Sequence, residues 1–224
     1  MLERQLRNVL IENAIEKDIV TLITQVVVDK NDKAFDNPTK PIGKFFLKEE
    51  ADLLSKANGW KFMEDPRRRG WRRIVPSPQP IDILNKKNIF DLVRNGKIVI
   101  AIGGGGIPVM KVDNNYFKGV EAVIDKDLAS SFLASDIKAD TFFILTDVPK
   151  VYLNFKKANE KPLDVITVEE ANLYLEEGHF SEGSMAPKIQ AAVNFINNGG
   201  NEVIITEASE LMKDGNYTKI VKEK

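Results

Sequence analysis

The sequence contains no cysteine and only one histidine, His179. The first absence excludes a disulfide framework, thiolate catalysis and Cys-ligated zinc or iron. The second excludes metal sites built from several histidines. A Ser/His/Asp triad survives that count, but no serine stands in a nucleophile-elbow motif. Neither charge is in excess. The 32 Lys and Arg against 33 Asp and Glu leave a net charge of −1, whereas a general nucleic-acid binder carries a globally basic footprint. No apolar run approaches the ~18 residues a membrane-crossing helix needs, and the opening residues lack the apolar core of a signal peptide. The expectation is a soluble, cytoplasmic protein that works on small molecules, with no nucleic-acid and no membrane partner.

What is present is ordinary globular material. The 224 residues, 43% hydrophobic and 29% charged, suffice for one large domain or a core with an insertion. Apolar residues Leu2, Leu6, Val9, Leu10 and Ile15 recur at helical spacing and predict an amphipathic helix facing a core. The stretch 21–28 is β-branched and reads as one strand. Residues 29–80 differ: prolines cluster at Pro38 and Pro41, at Pro66, and at Pro76, Pro78 and Pro80, around a short helix over 49–58 and the arginine-rich Arg67–Arg73. That composition predicts an inserted, protruding subdomain over 29–80, with the core formed by 1–28 and 81–224.

From Ile81 onward strands and helices alternate. A helix over 89–95 stops at Gly96, a strand over 97–102 runs into Gly103–Gly106, and a helix over 128–135 follows Asp127 as its N-cap. A strand over 141–146, a loop over 147–154, a helix over 168–177, a helix over 189–197 and a strand over 202–206 complete the pattern, with a short tail after it. Such alternation predicts an α/β three-layer sandwich with a mostly parallel sheet.

Several stretches have residue types suited to chemistry. Four consecutive glycines at the end of a strand suit close approach to an anion, and a tight structural turn is the other reading. They form neither a P-loop, since no Gly-Lys-Ser/Thr follows, nor a dinucleotide fingerprint, since Pro108 replaces the third glycine. Lys126 lies between Asp125 and Asp127 at a helix start, which suits either a phosphate site or a solvated helix end. Pro187 is a common first-turn residue, but Lys188 opposes the helix dipole unless an anion is bound there. Lys40 sits between prolines in a stiff loop. The arginine patch reads as a surface patch or as pairing with phosphate and carboxylate groups, and His179 as a loop or packing residue.

Taken together, Thr24–Asp29, Asn37–Gly43, Gly70–Pro78, Ala101–Pro108, Gly119–Ser130, Leu145–Val148, Val151–Phe155 and Gly183–Lys188 resemble the carbamate kinase family in order along the whole chain. The resemblance implies the amino acid kinase fold and reversible transfer of a phosphoryl group between ATP and carbamate, giving carbamoyl phosphate and ADP with Mg2+. In arginine fermentation by the arginine deiminase pathway that reaction runs toward ATP. By the same resemblance Lys40, Lys126, Asp127 and Lys188 are catalytic, and the amides of Gly103, Gly104 and Gly105 line the acceptor pocket. Asp147, Tyr152, Met185, Pro187 and Lys188 hold the nucleotide, and no side chain is assigned to a resident metal. A homodimer is implied. Sibling acetylglutamate and uridylate kinases are disfavoured by the Lys40 and Trp71 segments. The family also carries an opening strand with a Gly-Gly-Asn loop and a Gly-Asn-Gly-Pro-Gln loop, and this sequence opens at what resembles the helix after both. The expectation is an N-terminally truncated fold, active with a complementing N-terminal fragment, or else an inactive remnant that binds nucleotide or a partner.

Overall fold

The computed structural model describes every residue except Glu182, Met212, Asp214 and Lys224. Helix α1 (Leu2–Glu12) is followed by β1 (Ile19–Thr21) and β2 (Gln25–Val28). The single strand expected over 21–28 is thus two, with a step at 22–24. Thr24 explains the step. Its Oγ1 accepts from the Ile102 N–H at 3.0 Å and its carbonyl accepts from the Ile107 N–H at 2.8 Å, so one buried residue holds both ends of the glycine run.

The chain next forms β3 (Lys40–Phe46), α2 (Lys48–Asn58), β4 (Lys61–Glu64) and β5 (Trp71–Val75), whose strands pair only with one another, antiparallel, in the order β3-β5-β4. Two arginines of this unit are paired. Arg69 makes two 3.0 Å bonds to Asp65, and Arg73 stacks 4.0 Å over Trp60 and pairs with Glu121. Strand β6 (Pro80–Ile83) returns beside β2, so entry to and exit from the small sheet lie side by side.

Then come α3 (Lys86–Arg94), β7 (Ile98–Ile100), β8 (Ile107–Lys111), β9 (Phe117–Gly119) and α4 (Lys126–Asp136). After these follow β10 (Thr141–Thr146), β11 (Val151–Leu153), β12 (Lys161–Leu163) and β13 (Val165–Thr167). Helices α5 (Val168–Glu176) and α6 (Met185–Asn197) precede β14 (Glu202–Glu207) and β15 (Thr218–Val221). Parallel pairs β1-β7, β2-β8, β10-β14 and β13-β15 form the framework of an α/β fold, with antiparallel strands β6, β9 and β15 added. The presumed tail is in fact β15, which lies inside the sheet between β14 and β13.

Two hydrophobic cores result. The larger gathers Ile144, Val203, Ile205 and Ile220 from the sheet with Ile189, Val193 and Phe195 from α6. The smaller gathers Val26, Val28, Ile83, Ile89, Ile102 and Ile124. Helix α4 belongs to both: Leu128 and Ala134 enter the first, Ala129 and Leu133 the second. Among fully buried side chains, one such as Phe195 contributes roughly 1.5–3 kcal/mol. By contrast α1, expected to face a core, buries none of its residues, and Val9 and Ile11 lie exposed. Its polar side is tied down instead, with Thr21 donating to Glu3 at 2.6 Å.

Candidate active site

Helices α4 and α6 pack closely, and the lysines in their first turns meet at one carboxylate. Asp127 Oδ1 accepts from Lys126 Nζ at 2.8 Å and Oδ2 accepts from Lys188 Nζ at 2.6 Å. Lys188 and Asp127 are buried, at 8% and 9% exposure, whereas the Lys126 side chain is 59% exposed. A buried ion pair survives desolvation only with both partners satisfied, and Asp127 supplies that for Lys188. Burial works to lower the Lys126 pKa, but hydrogen bonding and attraction from Asp127, with the charge of Asp125, raise it above the ordinary lysine value. Lys126 is therefore a fixed cation at neutral pH, suited to holding charge and unsuited to acting as a base.

The helix start differs from the sequence expectation by two residues. Asp125, not Asp127, is the N-cap of α4: its Oδ1 accepts from the N–H of Asp127 at 2.9 Å and of Leu128 at 3.3 Å. With the cap at Asp125, Lys126 and Asp127 occupy the first turn and point into the cleft. Asp125 Oδ2 accepts from Lys40 Nζ at 2.8 Å, across from the small sheet. Burial acts to raise the Asp125 pKa, yet Lys40 and the two capping N–H groups outweigh it and leave the carboxyl below its ordinary value.

These groups line a cleft of about 260 Å³ formed by Lys40, Gly104, Asp125, Lys126, Asp127, Ser184 and Lys188, among others. Three ammonium groups face two carboxylates. The N-terminus of α6 adds positive dipole: the N–H groups of Met185 and Ala186 donate to Ser181, and Ser184 makes no side-chain cap bond. The arrangement suits an anion with several oxygens, such as a phosphoryl group.

Of the glycines, Gly104 borders the cleft in open space at φ +69°. Gly105 is packed away: a Cβ there would stand 2.1 Å from the Ile124 carbonyl oxygen, and its N–H already donates to Ile102 at 3.0 Å. Gly103 has no atom within 4 Å of a built Cβ. The run thus combines an open corner with a tight pack against the irregular segment 120–124 leading to Asp125.

A second cavity of about 540 Å³ adjoins, sharing Ser184 with the first. Asp147, Tyr152 and Met185 line it, together with Asn154, Phe155, His179 and Phe180, giving aromatic and apolar walls with a carboxylate at the edge. Pro187 lies half-buried in the first turn of α6, outside the lining of either cavity. Two residues outside the catalytic and nucleotide-binding sets of the sequence analysis stand here. Arg67 of the small sheet's β4–β5 turn lines the second cavity, and Asp125 holds Lys40. The helix-start pattern contained the signal for Asp125, two residues ahead of Asp127. Nothing in the sequence marks Arg67 among five neighbouring arginines.

Comparison with known proteins gives a consistent picture. The model of the amino acid kinase family matches residues 49–207. A carbamate kinase of Thermococcus kodakarensis is 48% identical over 226 residues, covering 100% of this chain and 71% of that protein. One of Thermoplasma volcanium is 52% identical over 86% of this chain and 62% of that protein. The structure of Giardia lamblia carbamate kinase bound to AMP-PNP superposes with a TM-score of 0.86 at 41% identity, over 99% of this chain and 71% of that one. The chain thus spans roughly two thirds of the length of its relatives, and it belongs to the amino acid kinase family, alongside the carbamate kinases.

Proposed function

We propose that this chain provides the nucleotide and phosphoryl-binding part of a carbamate kinase. In the reaction a carbamate oxygen attacks the γ-phosphorus of ATP, and the bond from that phosphorus to the bridging oxygen breaks, leaving carbamoyl phosphate and ADP. The reverse reaction makes ATP, the direction suited to arginine fermentation. The observation that supports this reading best is the pinning of Lys126 and Lys188 on the two oxygens of Asp127, beside Lys40. Phosphoryl transfer needs positioned positive charge and no covalent intermediate. Lys188, Lys126 and Lys40 provide the charge. The adjoining aromatic cavity, with Tyr152 and Met185, suits a base and ribose, and its sharing of Ser184 with the charged cleft supports a reading with the phosphates at the N-terminus of α6.

Magnesium belongs to this reading as a companion of the nucleotide phosphates. Among the described residues no cluster of three His, Cys, Asp or Glu is placed to hold a resident ion, and both Asp127 oxygens are engaged by lysines. The residues present therefore do not fit a protein-held metal. Small-molecule substrates and a homodimer complete the proposal.

A second reading is a nucleotide-binding or partner-binding protein without turnover. It is favoured by β10, which among the described residues pairs only with β14 and exposes Phe143 and Leu145. Two measurements separate the readings. Mg-ATP should raise the melting temperature of the chain, and no shift removes the nucleotide site. ATP formation from ADP and carbamoyl phosphate should appear once the segment that lengthens the relatives is supplied, in the same or a separate polypeptide. Nucleotide binding without turnover under that condition selects the second reading.

A further inference from the structure

We propose that Asp125 is a positioning residue that docks Lys40 over the phosphoryl site, tying the small sheet to the N-terminus of α4. The inference rests on the phosphoryl-transfer reading above. Asp125 divides its two oxygens between two elements: Oδ1 caps α4 through the Asp127 and Leu128 N–H groups, and Oδ2 accepts from Lys40. Its residue exposure is 7%, so the carboxylate is shielded from solvent, while the Lys40 side chain, 32% exposed, reaches it from the cleft mouth. Asp127 cannot take this role, because both of its oxygens are engaged by Lys126 and Lys188.

The surrounding seam shows that the contact is built. Strand pairing sets Lys40 opposite Val75, and the next residue, Pro76, accepts a hydrogen bond from Val123 N–H at 2.9 Å. Arg73, stacked on Trp60, pairs with Glu121. Residues 121–125 thus receive the small sheet at three points, and Asp125 is the one that also fixes the helix bearing Lys126 and Asp127. A lysine without such an anchor samples many rotamers. Held by Asp125, its ammonium stays at the cleft mouth, where a phosphoryl oxygen can take over one of its three donors. The depressed Asp125 pKa agrees with a carboxylate that stays charged in this role.

The variants Asp125→Asn and Lys40→Met test the proposal. Asparagine caps a helix about as well as aspartate, so the change removes the charge facing Lys40 and keeps α4. Asp125→Ser, another capping residue, replaces it if the asparagine variant does not fold. The first readout is trace acetylation of Lys40 relative to exposed Lys44 on the same strand, followed by mass spectrometry. Loss of the ion pair should raise that ratio about threefold, the equilibrium equivalent of a modest ion pair; an unchanged ratio overturns the proposal. The second is ATP formation by the complemented enzyme. Asp125→Asn should lower kcat while the nucleotide KM holds, and Asp125→Asn/Lys40→Met should be no slower than Lys40→Met. Additive losses overturn it. Labelling needs no turnover, so failure of the kinase reading shows as absent ATP formation by the complemented parent enzyme with the labelling ratio still changed.

Discussion

On one side of α4, Leu128 and Ala134 enter a core built on a four-stranded sheet and the buried face of α6. On the other side, Ala129 and Leu133 enter a smaller core with Val26, Val28 and Ile83 of the sheet β6-β2-β8-β9, and beyond it, among the described residues, β7 pairs with three-residue β1. The residues that would hold phosphate stand on the first side, where Lys188 and Asp127 are buried and mutually satisfied. The glycine run that would face the acceptor stands on the side of the smaller core, between β7 and β8. Two strands do not make an independently stable sheet, and β10 likewise ends its own sheet with Phe143 and Leu145 bare. The difference teaches that the charge array is held by buried, mutually satisfied partners on the larger core, whereas the glycine run joins β7, paired among the described residues with three-residue β1, to β8 of the second four-stranded sheet.

The sharpest way to break that comparison is at the ion pair. Asp127→Ala leaves the ammonium of Lys188 buried without its partner, a loss of about 3–5 kcal/mol, read as a lower urea midpoint. A change below about 1 kcal/mol would mean that the array is no more than a surface pair. The same contrast exists along β10. Ile144 is 3% exposed and Phe143, its neighbour, is 46% exposed. Ile144→Ala should cost about 2–5 kcal/mol by cavity formation, and Phe143→Ala less than about 1 kcal/mol. Comparable losses would show that Phe143 is covered in solution, and a change in sedimentation would locate its cover in a second molecule.

Much of this was legible in the sequence because it rests on local rules. The strand over 141–146, the helix starting near Val168 with its Thr167–Glu170 capping box, and the stop of α2 at Gly59 in left-handed conformation all follow from neighbours in the chain. What was not legible depends on distant contacts. Strand β15 has the pattern of a tail and becomes strand only between β14 and β13. The break at Thr24 needs Ile102 and Ile107 to come within reach. In the site, the lysines were visible as residue types in odd places. The seam from Arg73 and Lys40 to Glu121 and Asp125 joins positions 48 and 85 residues apart, with no periodicity to announce it.

Within the glycine run the comparison can be made between adjacent residues. Gly105→Ala brings a Cβ onto the Ile124 backbone at φ +103°, so the segment leading to Asp125 must shift. Gly104→Ala meets nothing and carries only the left-handed backbone cost, about 1 kcal/mol. Thermal melts should therefore rank Gly105→Ala well below Gly104→Ala. Equal losses would place the strain in the backbone alone and remove the claim that Gly105 packs the site's floor.

The smallest effect concerns pH. Asp125 has a folded-state pKa below its ordinary value of 3.8, so its contribution is fully present above that value and is lost as pH falls through the lowered one. Asparagine at 125 keeps the cap and does not titrate. The stability advantage of the parent chain over Asp125→Asn should be constant from pH 7 to 5 and should shrink as the pH is lowered below about 4. The pair with Lys40 is partly solvated, its lysine side chain 32% exposed, which limits the difference to about 1 kcal/mol. Urea titrations of both proteins at pH 6 and pH 3 measure it. If the gap between them does not narrow on acidification, the carboxylate is not what holds Lys40, and the closure of the small sheet over the cleft must rest on Arg73 and Pro76 alone.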